Sequence, residues 1–206
     1  MNRRLFVTLH RIPAMRRRLL VSLASTLALA AAPATPAAAG ELAGVALPDQ
    51  ITVEGRTLTL NGMGLREATW LKVDVYVAGL YLETKSSDSE AILASPEAKR
   101  IVMKFVRRVG RKDLVKAWNE GFEKNAGRDL AALMERIATL NSWMYDVEKG
   151  DLLSFTELPG KGVVIEVKGE AKGVIPGTDF ARVLWSIWLG PDPPNPGLKQ
   201  GLLGGR

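Results

Sequence analysis

The run Leu71 to Leu82 constrains this chain most, because it alternates over its whole length. Leu71, Val73, Val75, Val77, Gly79 and Tyr81 fall on one face of an extended strand. Lys72, Asp74, Tyr76, Ala78, Leu80 and Leu82 fall on the other. The second face begins polar and ends apolar. Such a gradient suits the wall of a cleft, and equally a strand running from solvent into a core.

The neighbouring segments extend this into a sheet with helices. Ile51 to Val53 and Thr57 to Leu60 read as a strand pair turning at Glu54-Gly55. Asn61-Gly62-Met63-Gly64 reads as a loop, since Asn and Gly tolerate positive φ. Ser89 to Ala94 reads as a short helix capped by Ser87 or Asp88. Arg100 to Val109 reads as a strand. Asp113 to Asn125 and Asp129 to Leu140 read as helices broken at Gly127, the second facing inward with Leu130, Leu133, Met134, Ile137 and Leu140. Asp151 to Thr156 and Val163 to Val167 form a hairpin, and Glu170 to Ile175 extends the sheet. Thr178 or Asp179 caps a helix running to about Leu189, and Leu198 to Leu203 is a short closing helix. Strands, then two helices, then strands and a helix indicate an α+β fold with a mainly antiparallel sheet packed with helices.

The net charge of +6 would suggest a nucleic-acid partner if it were spread over the chain. It is not. Six arginines and no acid lie in residues 1–39, which leaves 22 basic against 22 acidic residues in residues 40–206. Without a basic surplus or interleaved aromatics, no nucleic-acid partner is expected. The short basic run Arg107, Arg108, Arg111 and Lys112 reads as a solvated strand end and helix start.

The arginine-rich segment has the layout of an export signal. Arg16-Arg17-Arg18 is a basic start, Leu19 to Ala32 is uncharged and apolar, and Ala37-Ala38-Ala39 offers a cleavage site before Gly40. The basic run also fits, loosely, a twin-arginine signal. Met15 is a second candidate start. The apolar run is shorter than the roughly 20 residues a membrane span needs, so no stable span is expected after cleavage. Residues 1–39 are therefore expected to be a cleaved signal, residues 40–206 a single domain in the periplasm or secreted, and residues 40–50 a short leader.

The residue inventory narrows the chemistry. The chain has no cysteine, and its one histidine, His10, lies in the signal segment. Disulfides, thiolate nucleophiles, Ser-His-Asp triads, histidine metal sites and histidine-bound haem are excluded from the domain. No glycine-rich phosphate motif follows a strand. No cofactor and no metal are expected. Five tryptophans, Trp70, Trp118, Trp143, Trp185 and Trp188, suit either an ordinary core or a pocket for a flat apolar ligand.

Several motifs in order resemble one family. Asn61-Gly62-Met63-Gly64-Leu65-Arg66 precedes a strand ending in Gly79-Leu80-Tyr81-Leu82-Glu83. Met103 to Arg107, Asp151 to Gly162, and Arg182 to Gly190 with Pro193 to Lys199 follow. The set resembles the chalcone isomerase superfamily over about Leu42 to Gly204, nearer its bacterial exported branch than the plant enzymes. The resemblance implies an open-faced β-sandwich. The plant reaction closes a chalcone to a flavanone through the substrate's own phenolate, which needs a cation and hydrogen bonds rather than histidine or cysteine.

Site residues follow from the resemblance. Arg66 matches the family's catalytic arginine, which in fatty-acid-binding relatives grips a carboxylate. A guanidinium is a permanent forked donor suited to either anion. Asn125 matches the family's active-site asparagine. Trp118 stands where the family has tyrosine, keeping a wall and an N–H donor. Tyr76 falls where the family has threonine. Ser186 falls on the late-helix Ser or Thr, or Ile187 does if the alignment shifts by one. The resemblance implies either a binder of a small apolar or amphiphilic anion, fatty acid-like or aromatic, or an isomerase of the chalcone type using Arg66, Tyr76 and Asn125. A non-catalytic partner protein is a third reading. The altered Tyr and Thr positions rank binding first, in a monomer.

Overall fold

The computed structural model describes residues 38–68 and 73–205. All but the last two residues of the expected export signal, and Trp70, Leu71 and Lys72, lie outside the described residues. Nine strands are described: β1 (Ala38–Leu42), β2 (Val45–Pro48), β3 (Gln50–Val53), β4 (Arg56–Ala68), β5 (Val73–Leu82), β6 (Lys99–Phe105), β7 (Leu152–Leu158), β8 (Gly162–Val167) and β9 (Glu170–Ile175). The helices are α1 (Ser89–Ala94), α2 (Arg111–Ala126), α3 (Leu130–Ser142), α4 (Thr178–Leu189) and α5 (Pro196–Leu202), with a 3-10 turn over Gly127–Asp129 between α2 and α3. Strands β3 to β9 form one curled antiparallel sheet in sequence order, so the α+β expectation holds. Each strand lies beside its predecessor, and the helices occupy the longer connections.

Alternation along β5 gives the sheet two buried faces. Tyr76, Ala78, Leu80 and Leu82 join the helix-covered core with Ile101, Met103 and Phe105 of β6 and Phe155 of β7. Helix α4 sits in that core with eight of its twelve residues buried, as expected of a helix apolar nearly all round. Val77 and Tyr81 point the other way, into a second cluster with Leu58, Leu60, Val45 and Leu47. Residues 40–50, expected to be a leader, are instead mostly a hairpin of β1 and β2 lying on this second face. The alternating Val45 and Leu47 supply its apolar side, and Ala43 and Gly44 take positive φ at its turn.

The expected loop Asn61–Gly64 is the largest difference. It lies within the thirteen-residue strand β4. The glycines are present for close approach and not for a turn. A Cβ on Gly64 would sit 2.3 Å from the Leu198 carbonyl oxygen, and one on Gly201 would sit 2.2 Å from that of Met63. Helix α5 thus lies with its backbone against the backbone of β4. A bulge at Asn61 switches the facing so that Gly62 and Gly64 turn toward α5. The Asn61 amide donates to the carbonyls of Ser86 and Leu202, both at 2.9 Å, and accepts from the Ser86 N–H at 2.9 Å.

Smaller differences have local causes. The Glu54-Gly55 turn is as expected, with both residues at positive φ. Asp88 caps α1 by accepting from the N–H groups of Glu90 and Ala91. Neither Thr178 nor Asp179 caps α4; the N-cap position is Gly177, and Thr178 is its first residue. The Asp179 carboxylate pairs with both guanidinium nitrogens of Arg136 on α3 instead. Met134, expected inward, is 57% exposed, because Leu133, Ile137 and Leu140 already define the buried stripe of α3. Strand β6 stops at Phe105, and Val109 makes only an isolated bridge to Val147.

The contact of α5 with β4 gives a prediction. Gly64→Ala should destabilise the domain by about 2–3 kcal/mol in urea unfolding, since a backbone atom must move to admit the methyl. Gly197→Ala in the same helix meets only the Asn195 amide nitrogen, at 3.8 Å. It should be neutral or stabilise by up to about 1 kcal/mol through the unfolded state. Equal effects of the two changes would contradict this packing.

Candidate functional site

Three neighbouring strands set one row of side chains at the end of the helix-covered face. Arg66 of β4 lies opposite Tyr76 of β5, and Tyr76 lies opposite Phe105 of β6. An irregularity beside Arg66 leaves Val75 as the extra residue on β5, and pairing resumes with Glu67 opposite Asp74 and Ala68 opposite Val73. Across from this row, Gly121 of α2 meets Ile187 of α4, where a Cβ would be 3.0 Å from the isoleucine side chain. Between sheet and helices lies a cleft of about 580 Å³. Arg66, Tyr76 and Phe105 line its sheet side, and Trp118, Gly121 and Ile187 its helix side.

Arg66 is half-buried and donates to the backbone carbonyl of Glu67. Among the described residues no carboxylate pairs with it. Tyr76 is buried, and its hydroxyl oxygen accepts from the Trp188 indole N–H at 3.1 Å. Its ring meets Phe105 edge-on, with centroids 5.6 Å apart. Burial pushes the Tyr76 hydroxyl up to about 12, while the Trp188 hydrogen bond and the charge of Arg66 pull the other way. The phenol is therefore neutral and polarised by a cation beside it.

Trp118 is a wall of the cleft but not a donor into it. Its N–H points at the Met144 sulfur, 3.2 Å away, and its ring packs edge-on against Phe155 and Trp188. Asn125 does not line the cleft. Its amide donates to the Gly121 carbonyl at 2.9 Å, and its buried oxygen faces Gly190 in the contact between α2 and the end of α4. Ser186 donates to the Arg182 carbonyl at 2.8 Å, and the next residue, Ile187, reaches the cleft. The structure thus brings Arg66, Tyr76 and Trp118 together and leaves Asn125 and Ser186 outside.

The mouth carries charge that the linear sequence does not gather. Arg107, Arg108, Lys116 and Lys124 stand there with Asp113, Glu120 and Asp192. Arg108 is held by Asp146 and Glu148, and Lys116 lies 3.8 Å from Glu120. The basic run of the sequence is therefore divided: Arg107 and Arg108 reach the mouth, whereas Arg111 donates to the carbonyls of Met144 and Asn141. Of the tryptophans, Trp118, Trp185 and Trp188 are core, and Trp143 packs over Gly173. Gly121 escaped sequence reasoning as a site residue, although a glycine inside a helix marks a close approach, and Ile187 enters it only as the one-residue alternative to Ser186. Among the described residues no three acidic side chains gather to hold a metal, and no helix is long and apolar enough to cross a membrane.

The chain matches the family model described as chalcone isomerase-like over residues 39–204. No curated protein matches it. Among solved structures it is similar to a fatty-acid binding protein of Arabidopsis thaliana, with 17% identity and a TM-score of 0.62, covering 78% of this chain and 92% of that one. That likeness is one of fold. With the residues, the curled sheet and the family match in agreement, the chain belongs to the chalcone isomerase-like family.

Proposed function

We propose that this protein binds a small apolar or amphiphilic anion, fatty acid-like or aromatic, in the cleft, with Arg66 as its anchor. The observation that carries this reading is a half-buried guanidinium at an apolar cleft with no carboxylate partner among the described residues. A partly desolvated cation favours an anion brought to it, and the forked donors of arginine match a carboxylate. Tyr76, neutral and beside Arg66, adds a polar contact at the same end. Apolar contact with Phe105, Trp118 and Ile187 would hold the rest of the ligand. The fatty-acid binding of the structural neighbour supports the same reading.

An isomerase of the chalcone-to-flavanone type is the second reading. It needs hydrogen bonds aligned on the developing enolate. The Asn125 amide and Ser186 hydroxyl are engaged with backbone carbonyls, so Arg66 and Tyr76 are what remains for that work. Binding without turnover accordingly ranks first. We also propose that the protein is exported, which rests on the basic, apolar and alanine-rich layout of residues 1–39.

Arg66→Ala should weaken dodecanoate binding by about 1.5–3 kcal/mol in isothermal titration calorimetry, the worth of a hydrogen-bonded charge contact. Binding of 1-dodecanol should change little, and equal loss for both probes would remove Arg66 as the anchor. Tyr76 supplies a test by pH. Its folded pKa of about 12 lies above the ordinary value of 10.0, so its stabilising contribution is whole below pH 10 and is lost as pH rises toward 12. In urea unfolding over that window, Tyr76→Phe should lose stability less steeply than the wild type, by up to about 1.4 kcal/mol per pH unit. Identical slopes would mean that the hydroxyl is not held in its neutral form.

A further inference from the structure

We propose that Asn195 is a positioning residue for Arg66, its side-chain oxygen receiving a guanidinium N–H when Arg66 turns onto an anionic ligand. The proposal rests on the binding reading and adds to it the residue that orients the anchor. Asn195 stands at the N-cap position of α5, yet its side chain makes no capping bond. Its amide N–H instead crosses to β4 and donates to the Leu65 carbonyl at 3.1 Å. Its oxygen is buried and has no partner among the described residues. An amide oxygen out of water without a donor is unfavourable; the Asn125 and Asn141 oxygens and the Trp185 N–H share that condition, and the Asn195 oxygen is the one whose side chain is tied to the strand of Arg66.

The strand places Arg66 next in sequence to the residue whose carbonyl Asn195 holds. Successive carbonyls of a strand point to opposite edges, so those of Leu65 and Glu67 point to the same one. Asn195 holds the first and the Arg66 guanidinium holds the second. The two carbonyls are therefore roughly 6.6 Å apart along one edge, at about 3.3 Å per residue. Past Thr59, β3 no longer pairs along this edge of β4. The segment that covers it there also brings Asp192 and Pro194 to the cleft. A guanidinium has five N–H groups, and a carboxylate takes two, which leaves donors for Asn195.

The test uses the full chain, with dodecanoate and 1-dodecanol as probes in isothermal titration calorimetry. Asn195→Asp keeps the size, exchanges the N–H that holds the Leu65 carbonyl for a second oxygen, and adds a carboxylate that competes for the guanidinium. It should weaken dodecanoate about tenfold and leave dodecanol within about twofold, because only the charged probe competes. Asn195→Ala should weaken dodecanoate severalfold, again with dodecanol unchanged. Thermal unfolding reports whether each variant folds, and Asn195→Gln, which keeps both the N–H and the oxygen, replaces Asn195→Ala if that variant does not fold and should weaken dodecanoate less than Asn195→Asp does. Unchanged dodecanoate affinity in both variants would overturn the proposal while leaving Arg66 as anchor, provided Arg66→Ala still loses it. Equal weakening of both probes would also overturn it, since a merely structural role predicts that result. A wild type that binds neither probe would remove the binding reading and this proposal together.

Discussion

The seating of α5 on the bare backbone of β4 is the constraint on which the rest of the site depends. Gly62 and Gly64 carry no side chain to hold the helix away, and Gly201 answers them from the helix. Asn61 ties the same strand to the Leu202 carbonyl and to Ser86 before α1. The strand that carries Arg66 is thereby fixed along an edge where β3 no longer pairs with it. Backbone-to-backbone contact of this kind tolerates no added methyl, because neither partner is the movable end of a side chain.

From that fixed strand the site is a matter of register. Pairing sets Arg66, Tyr76 and Phe105 in one row, and the Trp188 indole reaches the Tyr76 oxygen from α4. Burial keeps Tyr76 neutral, so the row presents one permanent cation and one polar phenol to an apolar space. That combination is the basis of the proposed binding of an anion with an apolar body.

Alternation made the sheet legible. From Tyr76 to Leu82 the two faces divide into the two observed hydrophobic clusters, whereas Val75, the extra residue at the irregularity, packs with the Tyr76 face and not with Val77. Local pattern failed where a residue's role is set by a distant segment. Asn61-Gly62-Met63-Gly64 has the composition of a turn, and only α5, more than a hundred residues away, explains it as strand. Val45 and Leu47 looked like part of a leader because their partners Val77 and Tyr81 lie across the sheet. At the site, Arg66, Tyr76 and Trp118 converge, whereas the orientations of Asn125, Ser186 and the Trp118 N–H depend on neighbours that spacing does not specify. A one-residue shift along α4 exchanges Ser186 for Ile187, and the helix phase decided it.

Native mass spectrometry of the protein purified from the organism that makes it, beside its Arg66→Ala variant, tests the central claim most directly. The account predicts an acidic apolar molecule carried by the wild type and missing from the variant. A wild type that is empty, or a variant that carries the same molecule, would contradict an anion-anchored cleft.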